Sequence, residues 1–244
     1  MEGGDLMEGV LLERQKLRGA GTPWMDEEEV WVVVWRVLRA LQFMHTMSQD
    51  GVSILHRDVK PDNILLARRG ADGCGICATA KLADLGHAKA LDGVSRTWTK
   101  GIGTPAYMPP EIAAAVGALG CVRFNDGHTK ALDMWSVGVV LYVCFLQCYP
   151  YGNAAPGDVM AMEKLNLRIL TEGLHGMQPE ALERLVSPGS PQAALLQQRS
   201  AHGRALMQAL LQREPTHRLS VEDALRHPWF DGLAADEGAG AATP

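Results

Sequence analysis

His56-Arg57-Asp58-Val59-Lys60-Pro61-Asp62-Asn63 is the stretch on which the reading of this chain turns. Two shorter motifs follow it, Asp84-Leu85-Gly86 and then Gly103-Thr104-Pro105-Ala106-Tyr107-Met108-Pro109-Pro110-Glu111. Alone, each carries little weight. A His-Arg-Asp triplet occurs in loops of many proteins, and an Asp–Lys pair is usually a solvated surface. Three such motifs in this order, at workable spacings, are hard to reach by chance.

The composition excludes several classes. A chain of 244 residues, 47% hydrophobic and 21% charged, is ordinary for a globular protein and buries a substantial core without disulfides or metals. A net charge of −5 points away from nucleic acid and from acidic lipid as partners. The five cysteines, Cys74, Cys77, Cys121, Cys144 and Cys148, are odd in number and form no framework. They read as free thiols in a reducing compartment, hence an intracellular protein of the cytoplasm or nucleus. Cys74 and Cys77 have CxxC spacing, but a zinc site needs about four ligands and no second pair lies nearby. The start, Met1 to Asp5, lacks the basic and apolar regions of a signal peptide. The longest apolar stretch, Ala131 to Cys148, is interrupted by Asp133, Ser136 and Gln147. It reads as a buried helix and not a membrane span, because an aspartate is costly in lipid.

Periodicity places the motifs. Val30, Val34, Leu38, Leu41 and His45 recur at helical spacing between Asp26 and Met47, with acids in the first turn. Val52 to Leu55 is a short run leading into the octapeptide. Asn63 to Leu66 reads as a strand, with Lys81 to Ala83 as its hairpin partner and a glycine- and cysteine-containing tip between them. Residues 87–111 read as a surface segment. Thr129 to Cys148 is the most hydrophobic helix. Residues 149–202 mix helices and polar loops, with a soft spot at Ser187 to Pro191. Gly203 to Arg213 and Ser220 to His227 are further helices, the second with Ser220 as N-cap. A small, polar tail over 232–244 is expected to be disordered.

The three motifs together resemble the catalytic loop, magnesium loop and activation-segment end of eukaryotic protein kinases. The resemblance covers about residues 1–231 and implies a mainly α architecture: a kinase-like C-terminal helical lobe with short β-hairpins. It implies transfer of the ATP γ-phosphate to a protein hydroxyl, with ATP and Mg2+ as cofactors. Phosphoryl transfer needs a group to orient the hydroxyl, metal to neutralise the phosphates and a cation near the moving oxygens. The resemblance assigns these to Asp58 as base, Lys60 at the phosphoryl group, and Asn63 and Asp84 as magnesium ligands. Lys60 and the Gly103-Thr104-Pro105 run resemble serine/threonine kinases, with Thr104 touching Asp58 and Lys60. Asp5 would approach the ribose and Leu65 one face of the adenine. Arg57 would pair with a phosphate placed on Thr99 or Thr97 by an activating kinase. Asp133 matches a buried acid that holds the catalytic loop, and Glu111 and Arg218 match a buried ion pair. Asp62 and Asp5 match acids that receive an arginine upstream of the acceptor, so a basic-directed protein substrate is expected, with Pro105 and Met108 forming an apolar pocket for the residue after it. Ala224 to Phe230 resembles the end of domains in the calcium/calmodulin-dependent group.

The sequence departs from the family's pattern at its beginning. Met1 to Leu6 resembles the hinge between the two lobes, so the N-terminal β lobe is absent from this sequence. There is no glycine-rich loop over the phosphates and no strand lysine with its helix glutamate. Leu85 stands where the magnesium loop usually has phenylalanine. Two readings follow. One is a serine/threonine kinase recorded without its N-lobe. The alternative is a non-catalytic, pseudokinase-like single lobe acting as a binding or regulatory module. The intact Asp58, Lys60, Asn63 and Asp84 favour the first.

Overall fold

The computed structural model describes residues 4–12, 23, 25–46, 52–67, 79–91, 98–99, 104–112, 122–123, 130–151, 164–165 and 189–231. Its frame is helical. Helix α1 spans Glu27–Thr46 and α2 spans Lys130–Leu146. Three shorter helices follow: α3 (Pro191–Gln197), α4 (Ala201–Leu210) and α5 (Val221–Leu225). Among the described residues the strands form three separate two-stranded antiparallel sheets. They are β1 (Ser53–Leu55) with β4 (Lys89–Leu91), β2 (Ile64–Ala67) with β3 (Thr79–Leu82), and β5 (Trp98–Thr99) with β6 (Val122–Arg123). The expected helical lobe with short hairpins is what forms.

Helix α2 is the centre of the core. Every residue from Leu132 to Leu146 is buried, Asp133 and Ser136 included. A helix apolar on all sides has neighbours on all sides: α1, α3 and α4 pack around it. No described helix is long and apolar enough to cross a membrane. Helix α1 instead buries one stripe (Val30, Val34, Leu38, Leu41, with Val33 and Val37 beside it) and leaves Arg36, Arg39 and Phe43 outside.

The far end of the lobe is tied by one carboxylate. Glu27 accepts from Ser200 N at 2.9 Å and from Trp229 Nε1 at 2.7 Å, and it also accepts from the Ser200 hydroxyl. Trp229 lies edge-on to Phe145 at 5.8 Å. This junction sits on Gly203, where the Glu27, Trp229 and Phe145 side chains leave no room for a Cβ.

Two local expectations are revised. The soft spot near Ser187 to Pro191 is in its described part a helix start: the Ser190 side chain accepts from Ala193 N, and Pro191 occupies the first turn, where it costs no hydrogen bond. In its described residues the expected surface segment over 87–111 is only partly exposed. Ala106, Tyr107 and Met108 are 4%, 4% and 8% accessible, because Ser136 of α2 donates to Tyr107 O at 3.1 Å and holds the segment against the core. Met108 is therefore core, and only Pro105 of the expected pocket keeps partial exposure. Cys74, Cys77, Cys121 and the 232–244 tail lie outside the described residues. Cys144 is buried and Cys148 half-buried, and neither forms a disulfide among the described residues.

Candidate active site

Two ladders bring the motifs together. β1 ends at Leu55, immediately before the octapeptide, and pairs with Lys89 of β4. β2 begins at Ile64, immediately after it, and pairs with Leu82 of β3. The connection from β1 to β2 and the one from β3 to β4 therefore lie side by side, and Ala83 N donates to Asn63 O at 2.8 Å where they meet. Strand pairing alone places Asn63 next to the start of the Asp84-Leu85-Gly86 turn.

The octapeptide backbone hangs on Asp133. One carboxylate oxygen accepts from His56 N at 3.0 Å and the other from Arg57 N at 2.8 Å. His45, at the end of α1, reaches the first oxygen with Nε2 at 2.8 Å. His56 is locked as well. Its Nδ1 accepts from Asp58 N at 3.3 Å, which leaves Nε2 as the donor to Ala83 O at 2.9 Å. Arg57 adopts φ 67° and Asp84 φ 60°, left-handed conformations that non-glycine residues rarely adopt and that cluster at functional sites.

Asp58 is 4% exposed and receives four donors. Oδ1 accepts from Thr104 N at 3.1 Å and Thr104 Oγ1 at 3.0 Å. Oδ2 accepts from Asn63 Nδ2 at 3.0 Å and faces Lys60 Nζ at 2.9 Å. Lys60 also donates to Thr104 Oγ1 at 2.8 Å. Burial is the largest single influence and pushes the carboxyl upward. The hydrogen bond and charge of Lys60, then Thr104 and Asn63, together outweigh it and hold Asp58 below its ordinary value. Asp58 is thus an ionised carboxylate, fixed in orientation, with an ammonium beside it.

Asn63 spends its amide hydrogens on Asp58 O, at 2.7 Å, and on Asp58 Oδ2. Its carbonyl oxygen is the atom left for a ligand. Asp84 is exposed and caps its own turn, accepting from Gly86 N at 3.0 Å. One neutral and one anionic oxygen suit a hard divalent cation that completes its shell with water and phosphate. Among the described residues no group of three His, Cys, Asp or Glu forms a protein-only metal cage.

The other expected residues fall as follows. Glu111 and Arg218 meet in a two-pronged pair, both N–O distances 2.6 Å. Arg218 also donates to Gln212 O, Arg213 O and Ala131 O, and lies over the Trp135 ring at 4.9 Å. Leu65 is half-buried in β2. Asp5 bridges to Leu65 across a sheet-like contact, and its carboxylate accepts from Glu8 N at 2.7 Å, capping a short π-helical segment, Met7–Leu12. Arg57 sends Nε to the backbone carbonyl of His87. Thr99 is paired with Val122 in β5–β6, and Thr97 lies outside the described residues. Leu85 is 61% exposed.

Two residues of this neighbourhood were given no site role from sequence. His45 interrupts an apolar stripe, and a polar residue in such a stripe is the signal of a buried partner. His87 gave no signal: it comes within 3.8 Å of Asp58 Oδ2 only because the two connections run side by side.

A model of the protein kinase domain matches residues 4–230. A probable serine/threonine-protein kinase, fhkD, of Dictyostelium discoideum is 28% identical over 91% of this chain and 26% of its own length. Serine/threonine-protein kinase cds1 of Schizosaccharomyces pombe is 26% identical over 97% of this chain and 41% of its own. The calcium/calmodulin-dependent protein kinase cmkA of Emericella nidulans is 29% identical over 86% and 41%. The chain therefore spans about a quarter to two fifths of the length of these relatives. Their differing names fix no subgroup.

Proposed function

Since the chain belongs to the protein kinase family, we propose that it carries the acceptor side of a serine/threonine kinase site, where the γ-phosphate of ATP passes to a Ser or Thr hydroxyl of a protein. The observation that carries this reading is the Asp58 carboxylate, oriented at both oxygens by Thr104, Lys60 and Asn63. Asp58 orients the incoming hydroxyl and accepts its proton. Lys60, already within reach of Asp58 and Thr104, supplies positive charge to the transferring oxygens. Asn63 and Asp84 hold magnesium, which when bound neutralises charge on the phosphates. Leu65, with Asp5 beside it, offers a surface for the nucleoside. The family's names for serine and threonine kinases support a hydroxyl acceptor.

Substrate choice and regulation are part of the same proposal. Asp62 is exposed beside the catalytic loop and suits a basic residue upstream of the acceptor. Asp5 is engaged as a helix cap and serves this less well. Phosphorylation of Thr99 or Thr97 by an activating kinase would offer Arg57 a phosphate partner. The Ala224 to Phe230 segment supports nearness to the calcium/calmodulin-dependent subgroup, of which one matched relative bears the name.

The test is phosphate transfer from ATP to Ser- and Thr-containing basic peptides by the protein purified from the cells that make it. Asp58→Asn should lower the rate by about 10²–10⁴, the usual contribution of a positioned base. Transfer that survives this change would remove Asp58 from the chemistry.

A further inference from the structure

All four acceptor positions of the Asp58 carboxylate are taken from the protein side. His87 stands beside this carboxylate. Its Nδ1 stands 3.8 Å from Asp58 Oδ2, and its side chain is 49% exposed. The ring is not on a free tether, since the His87 carbonyl is held by Arg57 Nε, and the following residue, Ala88, closes the turn by donating to Leu85 O at 3.0 Å.

A separation of 3.8 Å is too long for a hydrogen bond and leaves a gap that an oxygen bridges once the ring opens slightly. An oxygen about 2.8 Å from each would subtend an angle of about 85° at its centre, narrower than the roughly 109° between the proton and a lone pair of a hydroxyl, so the half-exposed ring swings outward by about 0.8 Å to seat it. We propose that His87 is a further catalytic residue, whose Nδ1–H and the Asp58 carboxylate together form a two-point seat for the acceptor hydroxyl. The hydroxyl donates to Oδ2 and accepts from Nδ1–H. Its second lone pair remains for the phosphorus. As the new O–P bond forms and the bond to the leaving diphosphate breaks, the hydroxyl proton passes to Asp58. His87 holds its own proton throughout. Lys60, the one flexible donor on Oδ2, vacates its position as it turns to the phosphate.

This inference rests on the proposed kinase reading but is tested apart from it. The seat requires a proton on Nδ1. Nitrogen-15 imidazole spectra of the full chain, with the His87 signals identified by their loss in His87→Ala, report that proton directly. The expected result is a protonated Nδ1 in the wild-type protein, and a shift to the unprotonated range in Asp58→Asn. An unprotonated Nδ1 in the wild-type protein overturns the proposal whether or not the protein transfers phosphate, and needs no variant at position 58 to fold. In phosphate transfer, His87→Ala should lower kcat roughly five- to tenfold with KM for ATP unchanged, and His87→Gln, which retains a donor, should recover part of it. An unchanged kcat in His87→Ala also overturns it. Absence of transfer in the wild-type protein, with Nδ1 protonated, would count against the kinase reading and not against the His87–Asp58 pairing.

Discussion

His45 and Asp133 are 88 residues apart in sequence and meet at 2.8 Å in the interior, their side chains 1% and 0% exposed. The same carboxylate holds the backbone of His56 and Arg57, so a helix end, a central helix and the His56–Asn63 octapeptide share one anchor. Replacing Asp133 by Ala removes the acceptor of three buried donors at once. We expect a loss of about 3–5 kcal/mol in urea unfolding, the scale for breaking a buried charged network. His45→Ala leaves the two backbone bonds in place and should cost about 1–3 kcal/mol. Equal losses for the two variants would contradict the arrangement.

Glu111 and Arg218 are the second long-range lock. The guanidinium is fully buried, donates to five oxygens and lies on Trp135, so its removal leaves several acceptors without a partner. Arg218→Ala should destabilise by about 3–5 kcal/mol. Arg218→Lys should recover little of that, since an ammonium cannot reproduce the planar fork or the ring contact. A double-mutant cycle with Glu111→Ala should return a coupling of about 0.5–3 kcal/mol; additive losses would mean that the pair is incidental.

Gly203 lies on a helix, where alanine normally gains about 1 kcal/mol over glycine. Here the gain is reversed. A Cβ would stand 2.6 Å from Glu27 Oε1, 2.9 Å from Trp229 Nε1 and 3.0 Å from Phe145 Cζ. Gly203→Ala should therefore cost about 1–3 kcal/mol by overpacking. A thermal midpoint equal to or above that of the wild type would show that the Glu27–Trp229 junction yields easily.

The sequence was most legible where local chemistry and spacing coincide. Helix α1 followed from apolar periodicity, α2 from its long apolar run, and α5 from Ser220, whose hydroxyl does cap Asp223 N. Strands β2 and β3 lay within two residues of their expected places. The cluster of Asp58, Lys60, Asn63 and Thr104 was legible through resemblance to the kinase motifs, and these four do meet. What stayed hidden depends on tertiary geometry. Nothing local says that His87 will face Asp58, that Glu27 will collect Ser200 and Trp229, or that Tyr107 will be drawn inward by Ser136. Asp5 shows the converse: its match to a ribose-binding position says nothing of the helix cap its carboxylate forms.

His227 gives the fold an acid-sensitive edge. Its Nδ1 accepts from Trp229 N at 3.2 Å, so the ring must be unprotonated there to cap the last turn. Burial, and then the neighbouring His202 of α4, lower its pKa from the usual 6.5, with Asp231 opposing them. A histidine whose folded pKa is depressed contributes stability that is present above the unfolded value and is lost as pH falls through the folded one. Unfolding free energy should therefore decline as pH drops below about 6.5, where the unfolded histidine takes its proton first. His227→Asn keeps an acceptor for Trp229 N but does not titrate. Compared with the wild type by denaturant unfolding between neutral pH and pH 5, it should show a shallower decline. Parallel pH dependences for the two proteins would remove His227 as the cause.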